Sequence, residues 1–168
     1  MDIRPLTPHI GAEIHGVDLA APLDNETFAG IHQAFLDWMV LVFPGQSLTR
    51  DQHKAFGERF GKLHTHPMNH SRGDGDPAIL KVATNSDSAY TAGDGWHTDV
   101  TWMEEPSLGS IAQCVELPAF GGDTLFADSH AAFLGLRPAL QARLRTLEGV
   151  NDYRNFIANL PQALQEEY

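Results

Sequence analysis

The sequence predicts an α+β domain with most of its weight in β-structure, on three observations. Short strand-like runs recur near residues 10–14, 40–43, 79–84, 96–102, 108–116, 123–127 and 149–153. Helical spacing is confined to stretches before residue 61 and after residue 128. The chain has 168 residues, 42% of them apolar, which suits one domain with a genuine core over 1–168.

Taken in order, Ile10, Ala12 and Ile14 alternate with polar or small residues and predict a strand. Asp24 is placed as an N-cap, and Phe28, Ile31, Phe35, Leu36 and Met39 follow at helical spacing, predicting a helix over 25–39. Val40 to Phe43 reads as a short buried strand, stopped by Pro44-Gly45. Thr49-Arg50-Asp51-Gln52 has the form of a capping box, and the helix it opens carries Phe56 and Phe60 and closes near Gly61. Residues 67–78 and 85–95 are polar and read as loops around the strand at 79–84. Asp128-Ser129 caps a helix that Pro138 interrupts or restarts, with Leu140, Leu144 and Leu147 on its apolar stripe. The closing PQALQEEY reads as a helix that has only begun.

Composition narrows the function. With 11 basic against 22 acidic residues the net charge is −11, which argues against nucleic acid and anionic membrane surfaces as partners. No apolar run reaches the length of a bilayer span, and the first residues lack the apolar core of a secretory signal. The single cysteine, Cys114, allows no internal disulfide, fits a reducing cytoplasm, and is expected as a small buried hydrophobe.

Nine histidines invite a metal reading. His97-Thr98-Asp99 puts an imidazole and a carboxylate at i and i+2, on the same face of a strand, where both can reach one ion. With one further histidine they would make the facial triad of non-haem Fe(II) oxygenases. Nine histidines and 22 acidic residues yield about one His-x-Asp/Glu match by chance, and one is present. As a bare spacing the pair therefore fits a surface His and Asp on a strand better than a metal site. His64 and His66 form a second i, i+2 pair, with no carboxylate or thiolate clustered near them.

Four segments carry more information than that spacing. They are Ile10-Gly11-Ala12-Glu13-Ile14-His15-Gly16-Val17-Asp18-Leu19, Phe60-Gly61-Lys62-Leu63-His64-Thr65-His66-Pro67, Gly95-Trp96-His97-Thr98-Asp99-Val100-Thr101-Trp102, and Leu117-Pro118-Ala119-Phe120-Gly121-Gly122-Asp123-Thr124-Leu125-Phe126. In this order and at this spacing the chain resembles the N-terminal portion of the taurine dioxygenase (TauD/TfdA) family of Fe(II)- and 2-oxoglutarate-dependent dioxygenases. The resemblance implies a double-stranded β-helix, or jelly roll, with flanking helices. It implies Fe(II) bound by His97 and Asp99, and 2-oxoglutarate as a cosubstrate whose carboxylate the Thr124 hydroxyl would hold. It also implies O2 as the oxidant and a small anionic substrate contacted by His66. The implied reaction is decarboxylation of 2-oxoglutarate to succinate coupled to C–H hydroxylation.

Two substrate positions depart from the taurine enzyme, with Asn69 in place of a tyrosine and Gly93 in place of an asparagine. The resemblance therefore leaves sulfonates, alkyl sulfates and aryloxyalkanoates open. The family's third ligand, a histidine, and its 2-oxoglutarate-anchoring arginine lie further along than residue 168. His130, at a helix start, and Arg154 match neither position. Two other expectations stand beside the enzyme: a catalytically inactive truncated fragment or non-catalytic binding domain of the family, and a metal-assisted hydrolase using the same pair. A jelly roll ending here is expected to be incomplete at its C-terminal side, exposing sheet edges that favour aggregation or a homo-oligomer.

Overall fold

A computed structural model of the protein describes residues 1–65, 76–85, 87, 88, 93, 95–158 and 162. It begins with a small sheet in the order β1-β2-β3, formed by β1 (Asp2–Pro5), β2 (Ala12–His15) and β3 (Leu41–Val42). β1 and β2 pair antiparallel, with Asp2 opposite His15 and Pro5 opposite Ala12. The connection between them closes through the Leu6 amide, which donates to the Gly11 carbonyl at 2.9 Å. Inside it, the Thr7 hydroxyl accepts from the Ile10 amide at 3.0 Å and donates to the Ile10 carbonyl at 2.6 Å. Gly11 takes φ +88°, a region open to glycine at no steric cost. β1 was not expected from the patterning. Its four residues are all exposed and Pro5 cannot donate to a ladder, so it is tolerated only because it is an edge strand.

Between β2 and β3 runs α1 (Asn25–Trp38). Asp24 caps it as expected, its carboxylate accepting from the Thr27 amide at 2.7 Å. The helix ends one residue short of the expected boundary, at Met39, which adopts φ +61° and donates its amide to the Phe35 carbonyl. The chain then turns into β3, which lies parallel to β2 with Ala12 opposite Leu41. The expected strand at 40–43 is thus shorter, and its Val42 is exposed. α2 (Arg50–Glu58) opens on the predicted capping box, with Thr49 and Gln52 satisfying each other's amides. It ends at Arg59, and Gly61 follows in the next turn with φ +144°.

The core sits between α1, α2 and the sheet. Leu19, Ile31 and Phe56 are buried together, with Leu23, Leu41, Phe43 and Phe60 packed against them. Phe60 is its aromatic hub, with ring centroids 4.9 Å from Phe28, 5.4 Å from Phe56 and 6.1 Å from Phe35. Arg59 covers this cluster, its guanidinium 4.3 Å from the Phe28 ring centre while donating to the Leu23 carbonyl at 2.8 Å and to the Asn25 side chain at 3.1 Å. Gln46 and Gln52 staple the loop before α1, the first through the backbone of Val17 and Leu19, the second through the Ala20 carbonyl.

The chain forms two compact units, one of Met1–Lys62 with Ala112–Leu147, the other of Leu63–Ile111 with Glu148–Tyr168. The first unit adds α3 (Ser129–Leu134), capped by Asp128, and α4 (Pro138–Leu144), restarted by Pro138 at its first turn. The second contains α5 (Tyr153–Ala158). Among the described residues, no helix is long and apolar enough to cross a membrane.

The strands expected at 79–84, 96–102, 108–116, 123–127 and 149–153 are not formed. A strand persists only where a neighbour accepts its backbone hydrogen bonds, and these runs have no ladder partner among the described residues. Most of their apolar side chains lie exposed accordingly, Val82 at 63% and Val115 at 89%, while Val100 is buried at 3%. Cys114, expected to be buried, is exposed, on a run that has no ladder partner among the described residues. The described residues show a three-stranded sheet with helices, and the double-stranded β-helix is not seen among them.

Candidate metal centre

Both members of the His-x-Asp pair lie in the second unit, on the segment that follows Gly95. The expected strand is replaced there by a turn. Asp99 to Trp102 are turn residues, the Met103 amide donates to the Val100 carbonyl at 3.0 Å, and Val100 takes φ +47°. A β-branched residue pays steric energy in that left-handed region. Burial of the Val100 side chain, 3% exposed, offsets it. The turn is fastened on its far side by the Trp102 ring, 4.7 Å from that of Tyr153, and by the Thr101 hydroxyl, which donates to the Asn151 side-chain oxygen at 3.0 Å.

The turn brings His97 and Asp99 together as strand geometry was expected to do. His97 Nε2 lies 3.3 Å from Asp99 Oδ1. His97 Nδ1 lies 2.8 Å from the Gly95 carbonyl oxygen. A carbonyl only accepts, so Nδ1 carries the hydrogen and a neutral ring offers its lone pair at Nε2. Asp99 Oδ1 lies near that nitrogen, at 3.3 Å. A metal cation could take both atoms as ligands. The donor set fits a divalent first-row ion: nitrogen and oxygen donors bind such ions at about 2.0–2.2 Å, and a separation of 3.3 Å suits two neighbouring coordination positions. The other carboxylate oxygen, Asp99 Oδ2, accepts from the Ser110 hydroxyl at 3.1 Å. Nothing in the sequence marks Ser110, which reaches Asp99 across eleven residues of non-repetitive chain.

Gly93 adopts φ +82°, and a Cβ placed on it would sit 3.4 Å from His97 Cε1. This residue, expected on the substrate side, lies against the edge of the candidate ligand. His66 and Asn69 lie outside the described residues. Thr124 belongs to the first unit and is exposed. It follows Gly121 and Gly122, both at φ +76°, and a Cβ on Gly122 would meet Pro118 Cγ at 3.4 Å. The paired glycines are what allow the backbone to fold back on Pro118 just before Thr124.

Among the described residues no group of three or more His, Cys, Asp or Glu side chains is gathered around one point. His130 is exposed at the start of α3, and its amide is taken by the Asp128 cap. Arg154 is engaged by Asp152, with Nη2 2.7 Å and Nε 3.0 Å from Oδ2. The hydrogen bonds from the Arg154 side chain, foremost, hold the Asp152 carboxyl below the usual carboxylate range.

Comparison with known proteins identifies the family. The model of the "Taurine catabolism dioxygenase TauD, TfdA family" matches residues 2–167. The (S)-phenoxypropionate/alpha-ketoglutarate-dioxygenase of Sphingobium herbicidovorans is 38% identical over 152 residues, covering 88% of this chain and 52% of the relative. The alpha-ketoglutarate-dependent sulfate ester dioxygenase of Pseudomonas putida is 34% identical over 176 residues, covering 100% of this chain and 56% of the relative. The crystal structure of a taurine dioxygenase from Burkholderia xenovorans superposes with a TM-score of 0.73 at 37% identity, covering 86% of this chain and 51% of that one. The chain spans about half the length of the curated relatives it matches.

Proposed function

Given that the chain belongs to the TauD/TfdA family, we propose that it carries the N-terminal share of an Fe(II)- and 2-oxoglutarate-dependent dioxygenase site. The substrate is a small organic molecule bearing a sulfonate, sulfate or carboxylate group. The observation that carries this reading is the facing of His97 Nε2 and Asp99 Oδ1 at 3.3 Å, with the ring's other nitrogen held by Gly95. His97 and Asp99 would hold the iron. When bound, it would supply the oxidative chemistry, coupling O2-dependent decarboxylation of 2-oxoglutarate to hydroxylation of the substrate.

This chain's residues supply placement. The Gly95 carbonyl fixes the His97 tautomer and ring plane. As the resemblance implies, the Thr124 hydroxyl would hold a carboxylate of 2-oxoglutarate and His66 would take the anionic group of the substrate. Asn69 and Gly93, the two positions that depart from the taurine enzyme, would set which anionic group is accepted. Two protein ligands are assigned here, and the chain spans about half the length of its relatives. The relatives' named substrates, a phenoxypropionate and sulfate esters, support a small anionic organic molecule as the substrate.

A second reading is a chain that binds metal without turnover. It is favoured by exposure: the His97 and Asp99 side chains are 56% and 59% exposed, whereas such oxidative chemistry works in a water-excluded site. Succinate release separates the two when the protein is given Fe(II), 2-oxoglutarate, ascorbate and O2. Turnover abolished by both His97→Ala and Asp99→Ala is expected of the enzyme. Turnover that survives either substitution overturns the ligand assignment. No succinate, with Fe(II) binding that depends on His97, supports the second reading.

A further inference from the structure

We infer that Ser110 is a positioning residue for the Asp99 carboxylate, an inference that rests on the proposed metal role of His97 and Asp99. A carboxylate on a short side chain turns freely about its last bond. Left alone, Asp99 could present either oxygen, or both, towards His97. The Ser110 hydroxyl removes that freedom by donating to Oδ2 at 3.1 Å, while Oδ1 is the oxygen 3.3 Å from His97 Nε2. The two oxygens thereby acquire different tasks, one facing the candidate ion and the other held by a neutral donor.

The arrangement is the counterpart of that on the histidine, whose Nδ1 is held by the Gly95 carbonyl at 2.8 Å. One outer contact therefore aims each ligand, and outer contacts of this kind tune metal affinity by fixing ligand orientation before the ion arrives. Ser110 also neutralises none of the carboxylate's charge, so Asp99 keeps its full attraction for a cation. A lysine or arginine in the same place would aim the carboxylate but compete with the metal.

The contact is solvent-exposed, which sets its effect at the low end of the range for such groups. Co(II) titration of the 168-residue protein, read by calorimetry, tests it. Ser110→Ala is expected to weaken binding by about tenfold, with the melting temperature of the metal-free protein unchanged. The isosteric pair Ser110→Thr and Ser110→Val isolates the hydroxyl: the threonine variant should bind as wild type and the valine variant as Ser110→Ala. Equal affinities for the threonine and valine variants, or a Ser110→Ala variant within about twofold of wild type, overturn the inference. His97→Ala keeps the two levels apart. If it abolishes Co(II) binding while Ser110→Ala does not weaken it, the metal site stands and the role of Ser110 falls. A wild-type protein that takes no Co(II) overturns both.

Discussion

Gly93 and His97 are held so close that a single carbon added to the first would lie 3.4 Å from Cε1 of the second. The glycine is at φ +82°, where an L side chain costs about 1–2 kcal/mol. Two constraints therefore converge on this position: the backbone angle asks for glycine, and the imidazole edge leaves little room beside it.

Substitution at Gly93 should accordingly disturb metal binding before it disturbs folding. Gly93→Val is expected to weaken Co(II) binding by on the order of tenfold, since about 1.4 kcal/mol of strain relieved by moving the loop away from His97 corresponds to that factor. Gly93→Asn should be milder, because asparagine tolerates left-handed backbone better than a β-branched residue. Co(II) titration of both variants checks the order, and a valine variant that binds as tightly as wild type would show that the contact is without consequence.

Arg59 should prove the most costly polar residue of the first unit to truncate. It donates to a backbone carbonyl and a side chain while lying over the Phe28 ring. Arg59→Ala is expected to destabilise the protein by about 1–3 kcal/mol, combining lost hydrogen bonds with a lost cation–π contact. Arg59→Lys should recover only part of this, because one ammonium cannot reproduce a planar fork. Urea denaturation of the three proteins gives the comparison.

The cap at Asp24 makes α1 acid-sensitive. The Thr27 amide, first among the causes, holds the Asp24 carboxyl below its ordinary value of 3.8. In that window the unfolded chain binds the proton more readily than the folded one, so stability rises with pH. The contribution is complete above the ordinary value and is lost as pH falls through the lower folded one. Asp24→Asn, which caps without titrating, should therefore flatten the acid limb of stability against pH below about pH 4. Equal acid limbs in the two proteins would count against the cap as its source.

Exposed apolar side chains on 112–126 should drive association. Val115 and Phe120 are 89% and 90% exposed on a run with no ladder partner among the described residues, and such runs pair with other chains. Sedimentation velocity is expected to show concentration-dependent oligomers of the wild-type chain. Substituting Val115→Lys together with Phe120→Lys should shift the distribution towards monomer. A wild-type chain that stays monomeric at every concentration would contradict this.

The amino-acid sequence by itself determined what depends on neighbours along the chain. Asp24 and Thr49 cap their helices from within three residues, Pro138 restarts a helix where its ring permits, and Phe28, Phe35, Phe56 and Phe60 come together because helical spacing puts them on facing stripes. His97 and Asp99 were legible too, although their spacing equals chance and the surrounding segments carried the reading. Tertiary structure alone decided the rest, because it depends on partners distant in sequence. Apolar runs at 79–84, 108–116 and 123–127 look like strands, yet a strand is a relation between two segments, and among the described residues no second segment pairs with them. The His97–Asp99 pair is shaped by a turn rather than a strand, through a strained Val100 that no propensity would place there. Ser110 meets Asp99 only once the chain between them has folded back. Local rules name the ligands, and long-range contacts determine which oxygen of Asp99 they present.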